Sequence, residues 1–401
     1  MTDALTSGVP LDQPADGLPA IVESERALAD AAKAIADGVG PVAIDAERAS
    51  GYRYGQRAYL VQLRRDGAGT WLIDPIAVPD LSPIAEAIGG AEWILHAATQ
   101  DLACLAEVGL RPQQLFDTEL AARLLGLARV GLAAVVEHYL GLVLAKEHSA
   151  ADWSQRPLPT SWLRYAALDV EVLGEIRNLM GVDLQTQNKS QWAREEFDAL
   201  LEWTPSVRVD PWRRTSGLHK VRGARGIAYV RELWEERDRI AAERDIAPGR
   251  LIPDQVLVQI AQHVLAAPGS GLPSGNRAVA RYQRHWQAAI QRAASLPDSK
   301  LPPPSLPSDG PPPPRAWADK NPVAAQRLAL TRAALTAFAQ EHEVPVENVC
   351  SPDPLRRVVW TPPEGAPEIA AFDTALAEFG ARPWQRSIVA PMLRAAFLEA
   401  E

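Results

Sequence analysis

Cysteine is nearly absent: Cys104 and Cys350 are the only two in 401 residues, far apart and without Cys-x-x-Cys spacing. This excludes a disulfide framework and argues against zinc; both are expected as small buried hydrophobes in a reducing compartment. An excess of positive charge is also missing. With 41 Lys+Arg against 50 Asp+Glu the formal net charge is −9, which disfavours a protein that coats nucleic acid non-specifically. It leaves open an enzyme that processes nucleic acid, because metal-binding acids add negative charge locally. No apolar run approaches the roughly 18–20 residues of a membrane span, and the opening Met-Thr-Asp-Ala-Leu-Thr-Ser lacks the basic-then-apolar form of a signal peptide. A cytoplasmic location without membrane partners is expected.

What is present suffices for several cores. Residues 1–20, rich in Pro, Gly, Asp and Ser, are expected to form a disordered tail. The next stretch, to about residue 205, reads as a mixed three-layer α/β unit: a helix from Glu25, strands Pro41–Glu47, Ala58–Arg64 and Thr70–Asp74, a strand Trp93–His96, then helices. Asp66-Gly-Ala-Gly joins the second and third strands as a hairpin turn. From residue 211 to 297 helices dominate, 298–316 is a Pro-rich linker, and 317–401 is helical again. A shift of 98 positions pairs Ile246 with Val344, Leu251 with Val349, Leu257 with Leu355 and Trp286-Gln287 with Trp384-Gln385. That match suggests a duplicated helical module.

The centre of the chain is Val42-Ala-Ile-Asp45-Ala-Glu47-Arg48. In a strand, residues two apart point the same way, so Asp45 and Glu47 share a face. Two neighbouring carboxylates repel unless a cation lies between them; a solvated edge or a salt-bridged loop is the plainer use of such a pair. Asp101 falls at a helix start after a strand, where open α/β sheets bind ligands. Tyr165 and Asp169, four apart, share a helix face. Four acids from three segments could hold two divalent cations about 3.5–4 Å apart, as in phosphodiester cleavage, and oxygen ligands favour Mg²⁺ or Mn²⁺.

In these residues the sequence resembles ribonuclease D and, more broadly, the tyrosine subclass of the DEDD 3′-5′ exonucleases. Ile44-Asp45-Ala46-Glu47 looks like the first motif, Leu95-His96-Ala97-Ala98-Thr99-Gln100-Asp101-Leu102 the second, and Tyr165-Ala166-Ala167-Leu168-Asp169-Val170 the third. Phe116-Asp117-Thr118, Asp152-Trp153-x-x-Arg156-Pro157-Leu158 and Trp212-Arg213-Arg214 with Gly217-Leu218 are also similar, the last opening what looks like an HRDC domain. The resemblance implies a ribonuclease H-like exonuclease domain, with a mixed central sheet flanked by helices, followed by two all-α HRDC-type domains. It implies that Asp45, Glu47, Asp101 and Asp169 hold two cations, Mg²⁺ or Mn²⁺, and that Tyr165 orients the attacking water. The substrate would be RNA 3′ ends, tRNA precursors or other structured RNA. A DNA 3′-5′ exonuclease linked to repair, acting on single-stranded DNA, and a non-catalytic RNA-binding scaffold are the rivals.

Arg48 departs from the family, which usually has an aromatic or small residue there. His96 is expected to be structural and Asp117 to cap a helix; Trp153 and Arg156 could touch substrate or pack a loop. Arg213, Arg214, Lys220, Arg222 and Arg225 lie in a stretch without an acid. They are expected to be exposed, either as solvated surface or as a phosphate-contacting rim holding RNA near the active site.

Overall fold

A computed structural model describes residues 8–144, 148, 150–306 and 310–400. The start of the expected tail (1–7), residues 145–147 and 149 of the polar stretch, linker residues 307–309 and Glu401 lie outside it.

The chain forms strands β1 (Val9–Leu11), β2 (Ile21–Val22), β3 (Val39–Arg48), β4 (Ala58–Asp66), β5 (Gly69–Ile73), β6 (Trp93–Leu95), β7 (Leu115–Asp117) and β8 (Leu142–Leu144). Interspersed among them are helices α1 (Glu25–Asp37), α2 (Ser82–Ile88), α3 (Leu102–Glu107), α4 (Thr118–Leu124) and α5 (Leu132–Leu140). Three more helices follow, α6 (Thr160–Glu171), α7 (Leu173–Thr186) and α8 (Ser190–Leu201). The main sheet is mixed, in the order β2-β5-β4-β3-β6-β7. Its antiparallel half is β5-β4-β3; β6 and β7 continue parallel to β3. The central strand β3 is apolar enough for both faces to be covered, with Val42, Ile44 and Ala46 buried in the core.

Described residues of the expected tail are tied down, contrary to expectation. Val9–Leu11 pairs in parallel with Leu142–Leu144, Ala15 N–H donates to Glu171 at 2.8 Å, and Asp16 pairs with Arg64 at 3.2 Å. A Pro- and Asp-rich composition hid one short apolar segment that meets an equally short one.

The first helical module comprises α9 (Gly223–Arg244), α10 (Pro248–Leu251), α11 (Asp254–Ala266), α12 (Arg277–Arg281) and α13 (Gln283–Ser295). The second comprises α14 (Trp317–Lys320), α15 (Pro322–Glu341), α16 (Val346–Val349), α17 (Pro352–Trp360), α18 (Ile369–Glu378) and α19 (Pro383–Glu399). The shift of 98 also relates helix bounds: α10 and α16 span 248–251 and 346–349, and α11 and α17 start at 254 and 352. Asp245 and Glu343, also 98 apart, both adopt the left-handed conformation, at φ 49 and 48. Trp286 and Trp384 are both buried. Among the described residues no helix is long and apolar enough to cross a membrane.

Candidate active site

Asp45, Glu47, Asp101, Tyr165 and Asp169 line one cavity of about 550 Å³ at the carboxyl ends of β3 and β6. Asp45 and Glu47 project from the same face of β3. Carboxylate oxygens of Asp45, Glu47 and Asp169 lie within 4.8 Å of one another. Asp101 stands close enough to Asp45 for each to bear on the other's proton affinity.

Each acid has its own support. Opposite Asp45 on β4 is Gln62, fully buried, whose Nε2 donates to Asp45 Oδ2 at 3.1 Å. Asp101 follows a 3-10 turn, Ala98–Gln100, that begins with Ala97 in the left-handed region at φ 60. Asp117 holds that turn: its carboxylate accepts from Ala97 N and Ala98 N at 3.1 and 2.8 Å, while also capping α4 through Glu119 N and Leu120 N. Asp117 thus serves as a cap and as a brace for the second motif. On α6, Tyr165 hydrogen-bonds the Asp169 side chain. Behind the phenol lies Trp153, fully buried, with ring centroids 6.5 Å apart.

Crowding acids together in a buried place raises their proton affinity. Burial pushes Glu47 well above the carboxylate range, and Asp45, Asp169 and Asp101 push it the same way. Burial and then Asp45 raise Asp101 well above that range, and burial also raises Asp45. Burial and the Asp169 carboxylate hold the Tyr165 phenol far above its ordinary value, so it remains a hydrogen-bond donor. Arg48 reaches the cluster, its Nη2 3.8 Å from Asp101 Oδ1. The strand register shifts between Glu47 and Arg48; such a bulge re-aims the side chain beyond it. All-oxygen donors, mutual repulsion and an open cavity suit hard divalent cations.

The remaining candidates separate clearly. His96 Nδ1 meets Thr118 Oγ1 at 2.9 Å, and burial lowers its pKa to about 4, so the ring is neutral. Arg156 makes two hydrogen bonds to Asp74, at 2.7 and 2.8 Å, and others to the carbonyls of Trp153 and Tyr59. Arg156 and buried Trp153 therefore brace the loop. Burial pushes the thiols of Cys104 and Cys350 up to about 12, and both are free.

The basic stretch is not uniformly exposed, contrary to expectation. Arg213 pairs with Asp210 at 2.9 Å, donates to Pro303 O and covers the Trp212 ring. Arg225 donates to the carbonyls of Ala293 and Leu296 at the end of α13 and pairs with Asp298. Arg214, Lys220 and Arg222 are exposed. Guanidinium groups offer five donors, and buried carbonyls at helix ends compete for them.

Sequence reasoning passed over Gln62, although an amide inside Tyr59-Leu-Val-Gln-Leu63 was a visible signal. It also missed the grip of the first helical module on the loop after β3. Asp245 Oδ1 accepts from Tyr54 N and Gly55 N at 3.2 and 3.1 Å, Tyr54 Oη donates to Asp238 at 2.9 Å, and Arg250 Nε donates to Gly51 O at 2.6 Å. Ser50 and Gly51 of that loop line the carboxylate cavity.

Comparison with known proteins places these features. Residues 19–185 match a 3′-5′ exonuclease family model, 227–266 an HRDC domain, and 310–397 a 3′ to 5′ exonuclease C-terminal domain. A protein of Bifidobacterium adolescentis has a similar structure, with a TM-score of 0.87 at 39% identity, covering 98% of this chain and 100% of that one. The crystal structure of Escherichia coli RNase D, described as an exoribonuclease involved in structured RNA processing, gives 0.67 at 26% identity over 95% and 98%. The ribonuclease D of Granulibacter bethesdensis is 30% identical over 315 residues, 75% of each protein. With the motif residues gathered in one cavity and relatives of this kind spanning most of its length, the chain belongs to the ribonuclease D family.

Proposed function

We propose that this chain, a 3′-5′ exoribonuclease by family, removes nucleotides from RNA 3′ ends by two-metal hydrolysis, with structured RNA such as tRNA precursors as its substrate class. The observation that carries this reading is the convergence of four carboxylates and one un-ionised tyrosine on a single open cavity. Asp45, Glu47, Asp101 and Asp169 would hold two divalent cations, Mg²⁺ or Mn²⁺. When bound, these would neutralise charge on the attacking and leaving oxygens of an in-line displacement. Gln62 fixes the Asp45 carboxylate and Asp117 fixes the turn that presents Asp101, so the ligands are preorganised. Tyr165, braced by Trp153, orients the attacking water through its hydroxyl without itself ionising. The cavity wall of Ser50, Gly51, Gln100 and Leu132 receives the terminal nucleotide.

An assay with 5′-labelled RNA and the matching DNA, each with Mn²⁺, Mg²⁺ or chelator, tests this. Stepwise shortening of the RNA from its 3′ end, dependent on cation, is expected. Equal or faster loss of the DNA would favour the repair-exonuclease alternative, since only RNA offers the 2′-hydroxyl. RNA bound but intact under every condition would leave a binding scaffold.

A further inference from the structure

Arg48 is out of place for its position in β3. Successive residues of a regular strand point to opposite faces, so residue 48 should turn away from Asp45 and Glu47. Instead it lines the same cavity as those acids and sets its Nη2 3.8 Å from Asp101 Oδ1. The register accounts for this: Glu47 pairs with Leu60 and Arg48 with Ala58, so Tyr59 is skipped, and such an irregularity redirects the side chains beside it. The strand thus breaks its regularity where the sequence leaves its family, which usually has an aromatic or small residue at this place.

The contact with Asp101 is loose. At 3.8 Å it is a charge attraction beyond hydrogen-bond length, and the Arg48 side chain stays 28% exposed. Arg156, by contrast, is fixed by bonds of 2.7 and 2.8 Å to Asp74 and by the carbonyls of Trp153 and Tyr59. Arg48 can swing. Its partner also stands apart from the other acids. Asp45, Glu47 and Asp169 each bring a carboxylate oxygen within 4.8 Å of the others, a ready place for one divalent cation. Asp101 lies outside that triple, and a second cation drawing on it would meet a guanidinium already there. Like charges repel strongly in a partly buried place, so the two cation places are unequal.

We propose that Arg48 is a resident counter-cation of Asp101, which weakens the second divalent cation until a phosphodiester enters the cavity and draws the guanidinium away, so that second cation and substrate bind together. This rests on the exoribonuclease reading above. A phosphate suits the part because its oxygens match the paired N–H donors of a guanidinium. By linkage, substrate then tightens the cation by the same factor as the cation tightens substrate.

Mn²⁺ binding to the full chain, titrated calorimetrically without RNA, tests this in the wild type, Arg48→Gln, Arg48→Lys and a control, Arg129→Gln, which removes one exposed charge paired with Glu137. Two steps are expected in the wild type, and the weaker should tighten about tenfold in Arg48→Gln, where the repulsion of one charge is gone. The tighter step should move less. Arg48→Lys, which keeps the charge, and Arg129→Gln, whose charge is screened by solvent, should stay within about threefold of the wild type. Adding AMP, a 5′-nucleotide of the kind such hydrolysis releases, should tighten the weaker step in the wild type and far less in Arg48→Gln. An Arg48→Gln titration that matches the wild type, a weaker second step in that variant, an equal gain in Arg129→Gln, or an equal gain from AMP in both proteins overturns the proposal. Should Arg48→Gln melt early, Arg48→Phe, with an aromatic as the family usually has, takes its place in the same titration. Mn²⁺-dependent cleavage of RNA by the wild type separates the two ideas: cleavage with unchanged Mn²⁺ steps removes only the counter-cation, whereas a tightened step without any wild-type cleavage removes only the exoribonuclease reading.

Discussion

Asp45, Glu47 and Asp101 hold protons more tightly in the fold than in an unfolded chain, because burial and mutual repulsion oppose their charge. The sign follows: an acid with a raised folded pKa stabilises the fold below the ordinary carboxylate range, and that contribution is lost as pH rises through the raised values. Cations should offset the loss, so the gain in Tm on adding Mn²⁺ should grow as pH is raised from about 5 to 8. Thermal melts across that range check it, and an increment that stays flat would remove the coupling between cation and carboxylates. Tyr165 gives a second prediction at this scale. Phe keeps the packing on Trp153 but loses the hydroxyl, so Tyr165→Phe should lower kcat at least about tenfold and leave cation affinity within about threefold. An unchanged kcat would make the tyrosine merely structural.

At the scale of elements, what could be read from the sequence depended on length and on contact range. Helix α6 was legible because Tyr165 and Asp169 recur at helical spacing over 12 residues. Strand β3 was legible because its acids alternate with core residues. Strands β1, β7 and β8 have three residues each, too few for any period to stand out; β6 is as short and was legible only as an apolar run ahead of the second motif. The bulge after Glu47 leaves no trace in composition, and the partners of the loop at 51–57 lie about 190 positions away, from Tyr54 to Asp245. That loop is where the helical module can affect chemistry. Asp245→Gly keeps the left-handed backbone allowed but removes the acceptor, whereas Asp245→Asn keeps both. The Gly variant should lose severalfold in kcat/KM on RNA with little change in Tm, and the Asn variant should resemble the wild type. Equal activity in all three would mean that the loop needs no clasp.

Over the whole molecule, both helical modules meet the nuclease domain through the same left-handed turn. Asp245 holds the loop after β3, and Glu343 lies so close to Gly126 that a Cβ there would collide with the Glu343 carbonyl. The second module is further fixed by Trp384, stacked on Trp192 at 4.6 Å with its Nε1 donating to buried Glu196 at 2.9 Å. The shift of 98 made the two modules comparable in sequence, but it carried no sign that they dock by equivalent turns, because docking depends on residues of another domain. All of this scaffolding matters for function only if the carboxylates perform hydrolysis. Single-turnover cleavage of a 5′-labelled RNA by Asp101→Asn and Asp45→Asn in saturating Mn²⁺ decides that. A fall of at least about a thousandfold, roughly 4 kcal/mol in the barrier, is expected, with RNA affinity and Tm near those of the wild type. Cleavage at the wild-type rate by either variant would contradict the two-metal assignment.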